Sequence, residues 1–495
     1  MFQISDLYLL SPELSLVIVA LAVMLVDLFV KRRVVTMVVA LAGMIFPVAL
    51  TISLALTQDF TKPHLAFFNM LSVEQYSLFF DMIFLLTAVV IILTTYNYAE
   101  KYIRADGEFY TLLLFSVTGM MFMASTTELI SIYISLELAS IPLYVMAGLI
   151  RDNSRSAEAA VKYVLLGAMS SAILLYGFAL LYGLTGTTDL AGIANAIHTS
   201  IKDGNMLVLV ASVLVLAGFG FKISAVPFHM WAPDIYEGAP TPATAFFSVG
   251  SKAAGFAALI RVFMYGGLWQ VNNASLVAIV AIVAILTMTL GNLVAAVQAN
   301  VKRMMAYSSI AQAGYILVGF ASSLAGKSSS GNTAVLFYLF VYALTNLGAF
   351  AGIIALANAT GGEKIEDFRG LAKRAPFVSA ATALCLLSLG GIPPMAGFIA
   401  KILIFTTAWG NGLAYLAVIA LLNSIVSLVY YGRLVKSMYF DAPLRETDHV
   451  VAPAGLTGPI AVMAAALIIV TFATQIVLAA ANPAANTLLG FLGVH

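Results

Sequence analysis

The sequence predicts an all-α polytopic membrane protein of about 14 transmembrane helices, with two inverted five-helix repeats and breaks in helices 7 and 12. Three observations predict it. The 495-residue chain is 62% hydrophobic and 9% charged, with a mean hydropathy of +1.00. A soluble domain carries about 25% charged residues. Apolar runs recur along the whole chain with short linkers, each near the roughly 20 residues that a membrane helix needs. Two of these runs are too long for one crossing and carry proline and glycine inside them.

The runs lie at 12–30, 34–57, 75–98, 109–126, 128–150, 157–184, 205–233, 240–266, 274–297, 305–324, 333–358, 377–409, 412–438 and 455–480. Residues Thr187–Gly204 read as a short interfacial helix before the seventh run. The seventh run breaks at KISAVPFHM and the twelfth at GGIPPMAGF. Proline removes a backbone donor and frees a carbonyl, so each break needs neighbouring groups or water. Broken helices of this kind line hydrated cavities in transporters. The breaks are five spans apart. Five is odd, so the two broken helices run in opposite directions, as an inverted repeat requires. The natural units are spans 4–8 and 9–13. The chain divides into a three-helix segment at 1–108, a first repeat at 109–267, a second, inverted repeat at 268–440, and a C-terminal helix and tail at 441–495.

Lysine and arginine in alternate loops set orientation. One set of loops holds Lys31, Arg32, Arg33, Lys101, Arg104, Arg151, Arg155, Lys302, Arg303, Lys364, Arg369, Lys373, Arg374, Arg433, Lys436 and Arg445. The other set holds Lys62, Lys202 and Lys327. Both termini are therefore expected on the side away from the cytoplasm. The order of Lys31-Arg32-Arg33 after the first apolar run is the reverse of a cleavable signal peptide. A net charge of +1 gives no sign of a nucleic-acid partner. The single cysteine, Cys385, excludes an internal disulfide or an iron–sulfur ligand set. Histidines 64, 198, 229, 449 and 495 have no metal-site spacing. The polar loop GGEKIEDFRG lacks the GxxxxGK[ST] pattern of a phosphate cradle.

Five bases remain inside the runs: Lys162, Lys222, Lys252, Arg261 and Lys401. Ionisable groups at membrane depth are costly and usually mark an ion or proton path. Lys222 is mid-span, too deep to snorkel easily, and reads as a proton site or a structural ion pair. Glu137, near the middle of span 5, is its natural partner. Otherwise Glu137 is a neutral, hydrogen-bonded carboxyl. Lys252 has small neighbours that leave room for close helix packing and for water. Lys401 follows the second break, beyond the midpoint of its span. For both, the alternative is a lysine bonded to free carbonyls. His229 reads equally as a cap on the first break or as a proton relay. Lys162 is within snorkelling reach of the surface and can contact Glu158 one turn away. Asp27 and Asp81 read as structural or subunit-contact residues. Arg261 is expected to snorkel, Glu128 to be a solvated helix-start acid, and Asp234 and Glu237 to lie in a loop.

The run HMWAPDIYEGAPTPATAF, with FKISAVPFH before it and GSKAAG after it, resembles the antiporter-like membrane subunits of NADH-quinone oxidoreductase, respiratory complex I. The resemblance extends to MMAYSSIAQAGY at 304–315 and LSLGGIPPMAGFIAKI at 387–402. PDIYEGAPTP is closest to the N-type branch. M-type and Mrp-type relatives usually have a PDAH-type sequence there, and M-type subunits usually carry glutamate where Lys401 stands.

The resemblance implies proton translocation through Glu137, Lys222, Lys252 and Lys401, with His229 and Lys162 as auxiliary relays. It implies no cofactor in this chain, with NAD, FMN, iron–sulfur clusters and quinone in partner subunits. The implied partners are the M subunit and K-type small subunits. The implied location is the bacterial inner membrane. The rival readings are an Mrp-type cation/proton antiporter and a scaffold whose charges only join helices.

Overall fold

The computed structural model describes residues 4–30, 32–60, 63–103, 106–201, 204–326, 329–443 and 454–490. The loop cations Lys31, Lys62, Arg104, Lys202, Lys327 and Arg445 lie outside them, as do His449 and His495.

A short α1 (Ile4–Leu9) leads into α2 (Ser11–Phe29), and the second run divides into α3 (Arg33–Gly43) and α4 (Ile45–Thr57). An antiparallel hairpin follows, β1 (His64–Ala66) with β2 (Leu71–Val73), in register His64 to Val73. Three residues per strand are too few to show as an alternation in the sequence. Next come α5 (Gln75–Tyr102), α6 (Asp106–Ser125), α7 (Leu129–Ala147) and α8 (Ser154–Thr185). The expected short helix is α9 (Leu190–Ser200).

The seventh run forms α10 (Met206–Lys222) and α11 (Trp231–Gly238). Asp234 and Glu237 thus stand on a helix, not in the expected loop. The eighth run is α12 (Thr241–Phe246), a π turn at Phe247–Ser251, α13 (Lys252–Ile260) and a second π turn at Arg261–Tyr265. The second half comprises α14 (Asn273–Val297), α15 (Val301–Gly326), α16 (Ser329–Thr360), α17 (Leu371–Arg374), α18 (Pro376–Gly390), α19 (Ala396–Gly410) and α20 (Ala414–Tyr439). The last run is α21 (Ala454–Phe472) and α22 (Thr474–Gly490).

Among the described residues, eleven helices are long and apolar enough to cross a membrane. They are twelve if the pair Leu456–Phe472 and Thr474–Leu488, bent by 82°, is one span. The count of 14 adds the two broken spans. Their parts Met206–Lys222, Pro376–Gly390 and Ala396–Gly410 are each shorter than these helices. The 82° bend was not expected, because 455–480 reads as one uniform apolar run and Ala473 marks nothing.

Every residue from 241 to 265 is buried, and α15 and α16 are almost wholly so. A helix apolar all round belongs in the interior, and these three elements are the axis of the bundle. Small residues bring the axis helices close to their neighbours. A Cβ on Gly291 of α14 would lie 2.6 Å from the Ala311 nitrogen, and one on Gly314 of α15 would lie 2.5 Å from the Met288 nitrogen.

One end of the bundle gathers charge. Asp234 accepts from Lys162 at 2.7 Å and from Arg303 at 2.9 Å. Glu237 pairs with Arg303 at 3.0 Å and Arg155 at 3.7 Å. Lys302 donates to the Ala239 carbonyl at 2.9 Å and to Glu363 at 3.2 Å. The loop-charge alternation put Arg155, Lys302 and Arg303 on one face, and the fold brings them to one basic end together with Lys162 of the sixth span.

Candidate functional site

The seventh span stops at Lys222 because the next residues cannot continue the ladder. Val226–Pro227 is a cis peptide and Ser224 has φ 60°. The freed groups are met from elsewhere, as a break inside a membrane requires. Thr287 of α14 accepts from the Val226 amide at 3.0 Å, and Trp231 donates through Nε1 to the Phe221 carbonyl at 2.8 Å. Thr287 and Trp231 thus meet two of the freed groups, and the buried His229 ring hydrogen-bonds the Pro227 carbonyl at the break.

Lys222 is 3% exposed and is the last residue of α10. The carbonyls of a helix C-terminus favour a cation there. Its Nζ donates to Ser140 Oγ at 2.6 Å. Glu137, three residues earlier on α7, accepts at Oε1 from Ser171 Oγ at 2.5 Å. The expected direct ion pair is therefore not formed. Each side chain is held by a serine instead. Ser140, Ser170, Ser171 and Lys222 border one cavity of about 10 Å³, roughly the room one water needs.

Lys252 is 1% exposed and donates to Ser309 of α15, to the carbonyl at 2.5 Å and to Oγ at 2.8 Å. It directly follows a π turn, a feature often found at functional sites. The small residues around it allow close packing. A Cβ on Gly255 would lie 2.9 Å from Ile223 Cγ2 and 3.2 Å from Lys222 Cγ. The Lys252 helix is thereby pressed against the stem of Lys222.

Lys401 is 3% exposed. Although its backbone lies past the second break, its side chain reaches back. Nζ donates to the Gly390 carbonyl at 2.8 Å and to Ser424 Oγ at 2.9 Å, and lies 4.9 Å from the Tyr315 ring centre. Gly390 ends α18, so the ammonium sits at the break, against a half-helix C-terminus, as Lys222 does. Gly391 has φ 84°, and a Cβ there would lie 2.9 Å from Lys401 Cδ.

A polar string joins the last two lysines. Ser309, which holds Lys252, adjoins Ser308, which is hydrogen-bonded to Tyr431. Gln312 donates to Tyr431 Oη at 3.2 Å and to the Leu389 carbonyl at 3.1 Å, and accepts from Tyr338. Leu389 precedes Gly390, the acceptor of Lys401. A cavity of about 10 Å³ lies beside Gln312, Tyr338 and Ser388. Sequence reasoning assigned none of these residues a role. The signal was present: Ser308, Gln312 and Tyr315 recur at i, i+4 and i+7 in an apolar run, one face of a helix.

The remaining candidates are elsewhere. Lys162 contacts Glu158 at 2.7 Å as expected, and Asp234 at the same distance. With 40% of its side chain exposed, it belongs to the basic-end network. Arg261 does not snorkel. It is fully buried and paired with Glu74 at 2.7 Å. Glu128 is not solvated but a buried cap, accepting from the Ser131 amide at 2.7 Å. Asp81 is 3% exposed within this chain, so it is not a subunit contact.

Two broken spans, each with a lysine ammonium against the C-terminus of its first half-helix, flank a buried axis. The profile described as "NADH:quinone oxidoreductase/Mrp antiporter, TM" matches residues 126–427, and the chain belongs to that family. The branch follows from a relative 43% identical over 455 residues, covering 88% of this chain and 89% of that one. It is the NADH-quinone oxidoreductase subunit N of Desulfitobacterium hafniense, and this chain is a member of the subunit N branch. A chain of respiratory complex I from Thermus thermophilus with bound aureothin is similar at TM-score 0.78 and 32% identity, covering 94% of this chain and 98% of that one. A chain of the Mrp complex from Dietzia has a TM-score of 0.85 at 21% identity, covering 99% of this chain and 98% of that one. That likeness is one of fold.

Proposed function

We propose that this chain is the proton-translocating N-type membrane subunit of an NADH-quinone oxidoreductase. Protons pass through Glu137 and Lys222, then Lys252, then Lys401, driven by quinone reduction in partner subunits. The observation that carries this is the arrangement of three buried lysines. None makes an ion pair among the described residues, two sit at half-helix C-termini, and a polar string links the last two. A scaffold would pair such charges, because an uncompensated buried charge costs several kcal/mol.

The magnitudes are compatible. Moving one charge against 100 mV costs about 2.3 kcal/mol. A carboxylate closing to 4 Å from an ammonium is worth about 4 kcal/mol at an effective dielectric of 20. Rotation of Glu137 from Ser171 towards Lys222 would hold a proton on the lysine, and its return would release it. Lys162, in the basic-end network, and His229, at the break, serve as auxiliary relays.

The basic end faces the cytoplasm of a bacterial inner membrane, with both termini on the periplasmic side. The working unit divides at 1–108, 109–267, 268–440 and 441–495. Partners are the M subunit and K-type small subunits of a multi-subunit membrane complex. NAD, FMN, iron–sulfur clusters and quinone belong to partner subunits. An Mrp-type cation/proton antiporter is the rival with less support, since that likeness is in fold and the PDIYEGAPTP wording is N-type.

The test is Glu137→Gln or Lys222→Ala in the assembled complex. Proton movement linked to quinone reduction should be abolished. A normal ratio of protons to electrons in either variant would overturn the proposal.

A further inference from the structure

A second buried charge cluster lies away from the lysines, at the end of the bundle opposite the basic one. Arg261, in the π turn closing the eighth span, meets Glu74 Oε1 at 2.7 Å, with side-chain exposures of 0% and 1%. Its guanidinium carbon lies 5.0 Å from the Tyr76 ring centre. Asp81, on α5, faces both Arg261 and Glu13 of α2 electrostatically. Asp81 and Glu13 are 3% and 4% exposed. Tyr76 and Tyr265 are also turned to both Arg261 and Glu74, and Tyr265 to Asp189 as well.

The charges do not balance. Glu74 pairs with the one guanidinium, Asp81 faces it as well, and Glu13 adds a third carboxyl beside Asp81. Asp81 Oδ1 and Glu13 Oε2 have no hydrogen-bond partner, and neither do Arg261 Nε and Nη1. An isolated buried carboxylate is strongly disfavoured, and two that face each other cannot both ionise cheaply. One of the two must keep its proton.

We infer that Glu13 and Asp81 share one exchangeable proton and, with Glu74 and Arg261, form a proton-holding site beyond Lys252. The inference rests on the reading that this chain moves protons. Arg261 stands nine residues after Lys252 in the same span, about 13 Å along a helix axis. Glu13 opens α2 and Glu74 caps α5, so the site lies at helix ends. On release, the carboxyl O–H bond breaks and the proton passes to water. The carboxylate left behind faces the guanidinium donors that Glu74 does not occupy.

The test is infrared spectroscopy on the assembled complex in lipid, with Asp81→Asn and Glu13→Gln, both close in shape to the native residues. The wild type should show a neutral-carboxyl C=O band that shifts in D2O and is lost in Asp81→Asn. Protons moved per quinone reduced should fall at least twofold. If Asp81→Asn does not assemble, Glu13→Gln reads the same band. Absence of the band, or an unchanged proton ratio in the double variant, overturns the inference. Lys252→Met separates the two readings. A normal proton ratio in that variant removes the translocation proposal while leaving the carboxyl band in place.

Discussion

Lys222 and Lys401 occupy matching places in the two halves, yet their surroundings differ. The ammonium of each sits at the C-terminal end of a broken half-helix, Lys222 from its own helix and Lys401 by reaching back across the break. Lys222 is held by Ser140, with Glu137 three residues away on the same helix. Lys401 has a carbonyl, a hydroxyl and a phenol ring, and no carboxylate bonded to it. A nearby acid makes a site switchable, whereas fixed dipoles make it passive. On the proposed proton path the first half would serve as the switch, and the second as a receiver reached by the string through Gln312.

The sharpest way to break that comparison is to give the receiver an acid. Ser424→Asp would place a carboxylate where a hydroxyl now lies 2.9 Å from Lys401. A contact worth about 4 kcal/mol should lower proton release more than tenfold, read as proton movement in proteoliposomes. Unchanged flux would mean that the local acid is not what distinguishes the halves. Gln312→Ala comes next. It removes the shared partner of Tyr338, Tyr431 and the Leu389 carbonyl, at about 1–3 kcal/mol, and should slow flux about tenfold with assembly intact.

Backbone substitutions are smaller in effect and opposite in sign at the two breaks. Gly391→Ala forces a side chain into left-handed backbone, about 1–2 kcal/mol, and against Lys401 Cδ. The Tm of the complex should drop. Ser224 already holds φ 60°, so Ser224→Gly should raise Tm or leave it level. A drop there would show that the serine side chain matters more than its backbone. Lys162→Ala is expected to be mildest. Half-exposed ion pairs contribute about 0–1 kcal/mol, and proton uptake should change less than twofold. A total loss would move Lys162 into the main path.

Much of the fold was legible because membrane helices announce themselves by length and apolarity. Both breaks were readable from Pro227 and Pro394, and α9 from its position before the seventh run. The small hairpin and the 82° bend left no trace, since three-residue strands show no period and Ala473 breaks no rule. In the site, buried lysines stand out against an apolar background by charge alone. The partners that hold them do not. Ser140, Ser171, Ser309 and Ser424 are ordinary residues in membrane helices, and only their facing across different helices gives them a task. The burial of Arg261 and Glu128 is hidden in the sequence for the same reason. Position near a helix end suggests solvent, but Glu74 and the hairpin side of the bundle enclose them.

The charge gathered at the basic end has a mechanical consequence. Val301–Gly326 is one uninterrupted rod. Arg303, at its foot, grips α11 through Asp234 and Glu237. Ser309 and Gln312, further up, hold Lys252 and the approach to Lys401. A rigid rod clamped at its base turns as a whole. A tilt of the short helix beyond the first break would therefore swing the contacts of the other two lysines together, as a lever moves both its arms.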